Sequence, residues 1–213
     1  MGWFKNLFGK GEGEPREPRS LNHPGALDVG DIIKMSFLDQ TDLSNKRLEV
    51  QAVNSYDFGA DPEISFTLKG ESGELFFLTL CRDNGEEKLS FSKMMKRSQV
   101  IKLFDEHAFG QLFNEGADTH LERQSIPAGF EEWTASHYVE EEDCLKGYYY
   151  KGDYREQPFP RFEDESAGIE YYLLEDPDKA FAIEVEVYAS GETEVSATLY
   201  LGLSAIEEMW PAQ

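Results

Sequence analysis

The sequence predicts an α+β fold: two antiparallel β-meander repeats related by a pseudo-twofold axis, with helices between them and at the C-terminus. Three observations carry this expectation. Ile64-Ser-Phe-Thr-Leu68 is echoed by Ile169-Glu-Tyr-Tyr-Leu173, and each is followed by an acidic turn and a second apolar strand, Leu75–Leu80 and Ala180–Val185. Turns at Asn84-Gly85 and Ser190-Gly191 then lead into short third strands, Lys88–Ser90 and Glu194–Ser196. The stretch between the copies, and the chain end from Ser204 to Met209, show helical rather than alternating spacing.

Taken in order, residues 1–9 form an amphipathic opening. Trp3, Phe4, Leu7 and Phe8 recur at the spacing of one helix face, beside Lys5. Residues 10–25, rich in Gly, Pro and charge, read as a flexible linker. The folded body is expected over 26–213. Repeat one, about 31–92, opens with strands at Asp31–Phe37 and Arg47–Ser55, the second alternating Leu48, Val50 and Ala52 against polar neighbours. A helical connector, about 93–125, carries Val100, Ile101, Leu103 and Phe104 behind Ser98, then a second short helix from Asp105. Its Lys93, Lys96, Arg97 and Lys102 are expected to pair with surrounding carboxylates. In repeat two, about 130–213, Tyr148–Tyr150 read as a strand. Ile183, Val185 and Val187 then oppose Glu184 and Glu186, the pattern of a sheet with one wet face. A last helix, Ser204–Met209, is expected to dock through Leu203, Ile206, Met209 and Trp210 and to stop before Pro211.

Composition bounds the function. Hydrophobic residues make up 40% of the 213 positions, enough for a real core. Acidic residues outnumber basic ones 42 to 20, for a net charge of −22. Such a surface repels phosphate backbones over a Debye length of roughly 8 Å, so nucleic acid is not an expected partner. No apolar run approaches the ~20 residues of a membrane-spanning helix. The opening is interrupted by Lys5 and Asn6 and has no cleavage-like site, so a cytoplasmic location is expected.

Chemical motifs are sparse. His23, His107, His120 and His137 contain no pair at the spacing of a helical metal site, and no metal or other cofactor is expected. No nucleophile elbow, phosphate-binding loop or dinucleotide fingerprint occurs. Cys81 falls in an apolar run and reads as a buried, inert thiol; Cys144 follows four acidic residues that oppose thiolate formation. The acidic runs Glu140–Asp143 and Glu163–Glu165 lack the alternating spacing of a calcium loop and read as solvated loops. Aromatic residues crowd the stretch before the second copy, from Trp133 through Tyr138, Tyr149 and Tyr154 to Phe162. Tyr and Trp combine large contact area with a polar tip, which suits interfaces and ligand grooves.

The opening MGWFKNLFGK, the polar linker and LDVGDII together resemble uncharacterised bacterial conserved hypothetical proteins of the YjfK-like sort, associated with membrane-stress systems. YYLLEDPDKAFAIEVEVY likewise resembles small β-rich bacterial domains of unknown function. The resemblance implies a bacterial cytoplasmic protein near the inner membrane and supplies no catalytic residues.

The expected function is therefore a non-enzymatic binding or adaptor module. Trp3, Phe4, Leu7 and Phe8 would tether it to a membrane surface or a protein partner, a second copy of the chain included. The alternative is an enzyme or small-ligand protein with an aromatic cleft between the repeats, lined by Trp133, His137, Tyr138 and Tyr149. A third reading, an acidic inhibitor of a basic protein, rests on net charge alone.

Overall fold

Alternation along the strands decides this fold. The computed structural model describes residues 19–60, 62–83, 85–114, 116–160 and 168–212. The expected tether and the first part of the linker lie outside them. The strands are β1 (Ile32–Met35), β2 (Arg47–Asp57), β3 (Glu63–Gly70), β4 (Leu75–Asp83), β5 (Glu86–Met95), β6 (His120–Glu122), β7 (His137–Tyr150), β8 (Gly168–Glu175), β9 (Phe181–Tyr188), β10 (Thr193–Gly202) and β11 (Ile206–Trp210). Two short helices, α1 (Arg97–Leu103) and α2 (Glu106–Gly110), lie between β5 and β6. Asp105 caps α2, its Oδ1 accepting from the Ala108 amide at 2.9 Å.

All strands join one antiparallel sheet in the order β11-β1-β2-β3-β4-β5-β10-β9-β8-β7-β6. The meander β2–β5 meets the meander β7–β10 twice. β5 pairs with β10 from Lys88↔Gly202 to Met95↔Val195, and β2 pairs with β7 at Ser55↔Tyr150, Tyr56↔Tyr149 and Asp57↔Tyr148. The second seam closes these strands into a barrel, leaving β1 and β11 to extend the sheet beyond β2 and β6 to extend it beyond β7.

This corrects the α+β expectation. There is one closed sheet instead of two sheets with helices between and after them, and among the described residues the helical part of the connector is limited to α1, α2 and a single 3-10 turn, Gln111–Phe113. The expected C-terminal helix is absent. Leu203–Ala205 makes one 3-10 turn, and the chain continues as β11 against β1, pairing Ile33 with Met209 and Ile32 with Trp210. A helix of one or two turns is marginal without tertiary support, whereas the unsatisfied backbone edge of β1 rewards a strand. The run Glu140–Asp143, expected as a loop, lies inside β7, which absorbs its extra residues in bulges that place Cys144 at φ 52°.

The outward face of the barrel is apolar and buried under the chain's own segments. Phe76 of β4 stacks on Trp133 with ring centroids 5.7 Å apart, Tyr138 of β7 meets Phe104 edge-on, and Tyr172 of β8 meets Phe113. Leu68, Leu78, Leu89 and Ile183 are fully buried in this layer. Each such side chain contributes about 1.5–3 kcal/mol relative to exposure. The cover is fastened by polar contacts. Asp42 accepts from Trp133 Nε1 at 2.9 Å and from Lys93 Nζ at 2.6 Å, and Lys93 lies over the rings of Phe130 and Trp133. Arg97 pairs with Glu106 on the surface. Among the described residues, no helix is long and apolar enough to cross a membrane.

Candidate ligand cavity inside the barrel

The inward face mixes polar side chains with apolar ones, Phe77, Leu80, Leu145 and Leu173 among them. On β5 and β10 it carries Ser90, Ser92, Ser196 and Thr198, with the Ser92 and Thr198 hydroxyls 2.9 Å apart. Small hydroxyl side chains leave space, and the barrel holds a cavity of about 550 Å³, partly open to solvent and lined from all eight of its strands. Pockets for small molecules run from roughly 300 to 1,000 Å³.

Contacts between strands that are not neighbours establish which face is inside. Tyr56 of β2 donates to Glu186 Oε1 of β9 at 2.9 Å. Glu186 Oε2 accepts from Tyr188 at 2.6 Å, and the same hydroxyl reaches Glu194 at 3.2 Å. Glu194 stands directly opposite Glu186 in the β9–β10 register. Glu184, two residues earlier on the same face, accepts from Ser90 at 3.5 Å.

Seven carboxylates line the cavity; apart from the exposed Glu142 of β7 they fall into two sets. At one side Asp83 pairs with Lys88 at 2.7 Å and Glu175 with Lys179 at 3.0 Å. Among the described residues, no Lys or Arg nitrogen lies within 4.0 Å of Glu63, Glu184, Glu186 or Glu194. Hydroxyl groups are the hydrogen-bond partners of Glu184, Glu186 and Glu194. Burial, then the Glu186 and Glu63 charges, push the Glu184 carboxyl up to about 7 against the hydrogen bonds from Thr198 and Ser90. Burial also raises Glu186, opposed by its two tyrosine hydroxyls. Tyr56, Tyr171 and Tyr188 are raised first by burial, so they stay protonated and remain donors. The Cys81 thiol, also on this wall, is pushed up to about 11 by burial and then by Glu184. It is no nucleophile at neutral pH.

Rings border the carboxylates. Tyr56 stacks on Phe58 at 5.9 Å, Phe58 meets Tyr171 at 5.7 Å, and Tyr149 backs Tyr56 at 5.1 Å and Tyr188 at 6.2 Å. The Phe58 ring lies flat on β7 because residue 147 is glycine. A methyl group there would come within 2.4 Å of the ring and 2.8 Å of the Asp57 carbonyl.

The four residues expected to line an aromatic cleft are not brought together. Trp133 and Tyr138 are fully buried in the outer layer, the Tyr138 hydroxyl accepting from the Ala135 amide at 2.7 Å. His137 sits on the outer sheet beside His120, with Nδ1 2.9 Å from Glu122. Tyr149 alone reaches the cavity region, behind Tyr56. Trp3, Phe4, Leu7 and Phe8 lie outside the described residues. Sequence reasoning passed over Glu63, Tyr56, Tyr171, Glu184, Glu186 and Glu194. A signal for them existed in the Ser and Thr residues alternating on β5 and β10, since a solvated face usually carries longer charged side chains.

Among the described residues, no group of three or more His, Cys, Asp and Glu side chains is arranged to hold a metal ion. Comparison with family models, curated proteins and solved structures gives no match, so the YjfK-like resemblance rests on the quoted motifs alone.

Proposed function

We propose that this protein is a small-molecule-binding barrel, a binding module and not a catalyst, whose ligand occupies the interior. The observation that carries this reading is the arrangement of the sheet: the buried apolar face packs outward under its own cover, while the other face surrounds about 550 Å³ with hydroxyls, tyrosines and carboxylates set among apolar residues such as Phe77, Leu145 and Leu173. Burying carboxylates costs several kcal/mol per charge unless something polar answers them, and a ligand is the natural complement. Binding suits the site better than catalysis. Both oxygens of Glu186 accept tyrosine hydroxyls, and burial keeps the Cys81 thiol protonated.

Thermal-shift and ligand-observed NMR screening with small cationic, neutral and anionic polar compounds tests the reading. At least one class should bind, and Ser196→Trp, which puts a bulky indole into the cavity, should weaken that binding at least tenfold while circular dichroism shows the sheet intact. Failure of every class, with no small molecule extracted from protein purified from its own host, would falsify it.

The adaptor reading rests on Trp3, Phe4, Leu7 and Phe8, and a cytoplasmic protein resting on the inner membrane belongs with it. Such a segment supports reversible association only, opposed by an acidic body. Full-length protein should float with anionic liposomes, and a version lacking residues 1–18 should not; equal partitioning of the two would remove the membrane tether.

A further inference from the structure

We infer that the ligand of the barrel interior is an organic cation of the alkylated ammonium type. This rests on the reading of the interior as a ligand cavity and adds the class of molecule it takes.

The ratio of acids to bases around the cavity resembles that of the whole chain, so composition alone does not argue for a cation. Pairing does. Lys88 and Lys179 are already engaged by Asp83 and Glu175, and the third basic residue of the lining, Arg82, is exposed at the end of β4 and makes no ion pair with Glu63, Glu184, Glu186 or Glu194. These four approach the cavity with no Lys or Arg nitrogen within 4.0 Å among the described residues. A cation entering there meets a net negative field that the half-buried wall around Glu184, Glu186 and Glu194 screens less than bulk water does, while Glu63 is exposed and adds less.

The chemistry of the wall narrows the class. Oε1 and Oε2 of Glu186 each accept a tyrosine hydroxyl, and Ser90 donates to Glu184. Burial raises both carboxyls, so a bound cation would favour their charged form, and part of their directed acceptor capacity is already filled. A metal ion needs converging free oxygens, and a primary ammonium needs acceptors for three donors. An alkylated ammonium needs neither. It is weakly hydrated, sits against ring faces and takes its attraction from charge and aromatic quadrupoles. Tyr56, Phe58 and Tyr171 supply such a wall beside Glu186, with Tyr149 and Tyr188 behind, and Gly147 is what lets Phe58 complete it.

Choline and its uncharged tert-butyl isostere, dimethylbutanol, form the test, because they share shape and differ in charge. Isothermal titration of the full chain should show choline binding at least tenfold more tightly. Glu186→Gln should weaken choline at least tenfold and leave dimethylbutanol unchanged, with thermal melting confirming that the variant is folded. Equal affinity of the two probes on wild type, a measurement that needs no variant, would overturn the cation while leaving the ligand cavity standing. So would a neutral or anionic compound that binds where choline does not. Displacement of choline by calcium or magnesium at equal concentration would reassign the site to an inorganic cation. If no compound of any class binds, the cavity reading itself fails and takes this inference with it.

Discussion

Glu184→Gln is expected to stabilise the ligand-free protein by about 3 kcal/mol at pH 8 and to change little at pH 4. The carboxyl titrates near 7 in the folded chain against an ordinary value of 4.5, through burial first and the Glu186 charge second. Every tenfold gain in proton affinity on folding corresponds to about 1.4 kcal/mol, which sets the magnitude at about 3 kcal/mol. The sign follows from proton counting. Between 4.5 and about 7 the folded state holds a proton that the unfolded chain has released, so this group makes stability fall as pH rises through that window. Below it the group is neutral in both states and costs nothing; above it the full penalty is present. Glutamine cannot ionise, and its amide oxygen still accepts from Ser90 and Thr198. The groups facing Glu184 are Glu186 on its own strand, Glu63 across the barrel, and Cys81, Tyr171 and Tyr200 on the surrounding wall. Urea midpoints of both proteins across pH 4–8 isolate its contribution from the rest of the acidic surface. The difference between the curves should open between pH 4.5 and 7; parallel curves would show that the charge is solvated in the cavity.

Asp31→Ala should cost about 3 kcal/mol. The carboxylate is fully buried at the start of β1 and ties three pieces of chain together. It accepts from the Asp28 amide at 2.7 Å, from the Ala212 amide at 2.8 Å, and from the Arg19 guanidinium. Hydrogen bonds to a charged acceptor contribute roughly 1.5–3 kcal/mol each, and truncation leaves buried amides without a partner. The exposed end of Arg19 discounts its share. Equilibrium urea unfolding measures the loss, and hydrogen exchange should show the amides of β1 and β11 losing protection first. Asp31→Asn, which keeps one acceptor oxygen, should fall between Asp31→Ala and the unaltered chain. A loss under about 1 kcal/mol would mean that the β1–β11 pairing holds both chain ends without this carboxylate.

The elements legible in the sequence are those whose local signals were strong. β2 to β4 and β8 to β10 carry alternating apolar residues between Gly, Asn, Asp and Pro turns, and they form where those signals place them. α2 follows from Asp105 as its cap. β6, the first half of β7 and β11 were not legible, because they exist only through their partners. His120–Glu122 is three residues long and pairs with His137–Val139, and Glu140–Asp143 has no apolar alternation until bulges re-aim it along β8. In the candidate site the alternation of Glu184 and Glu186 against Ile183, Val185 and Val187 was readable, and so was the fact that the two sets face opposite ways. What each face meets was not. Water was the expected neighbour of Glu184 and Glu186; the structure gives them Tyr56, Tyr188, Ser90 and one another.

The sequence by itself determined the period, the turns and the two-faced character of the strands, because these depend on residues a few positions apart. Tertiary structure alone decided the rest: that β2 would find β7, that the closure would turn the more polar face inward, and that an apparently wet face would become the lining of a cavity. Those outcomes depend on backbone pairings between residues nearly a hundred positions apart or more, Ser55 with Tyr150 and Ser92 with Thr198. Their free energy comes from closing an edge and covering an apolar face, terms that no local window of sequence contains.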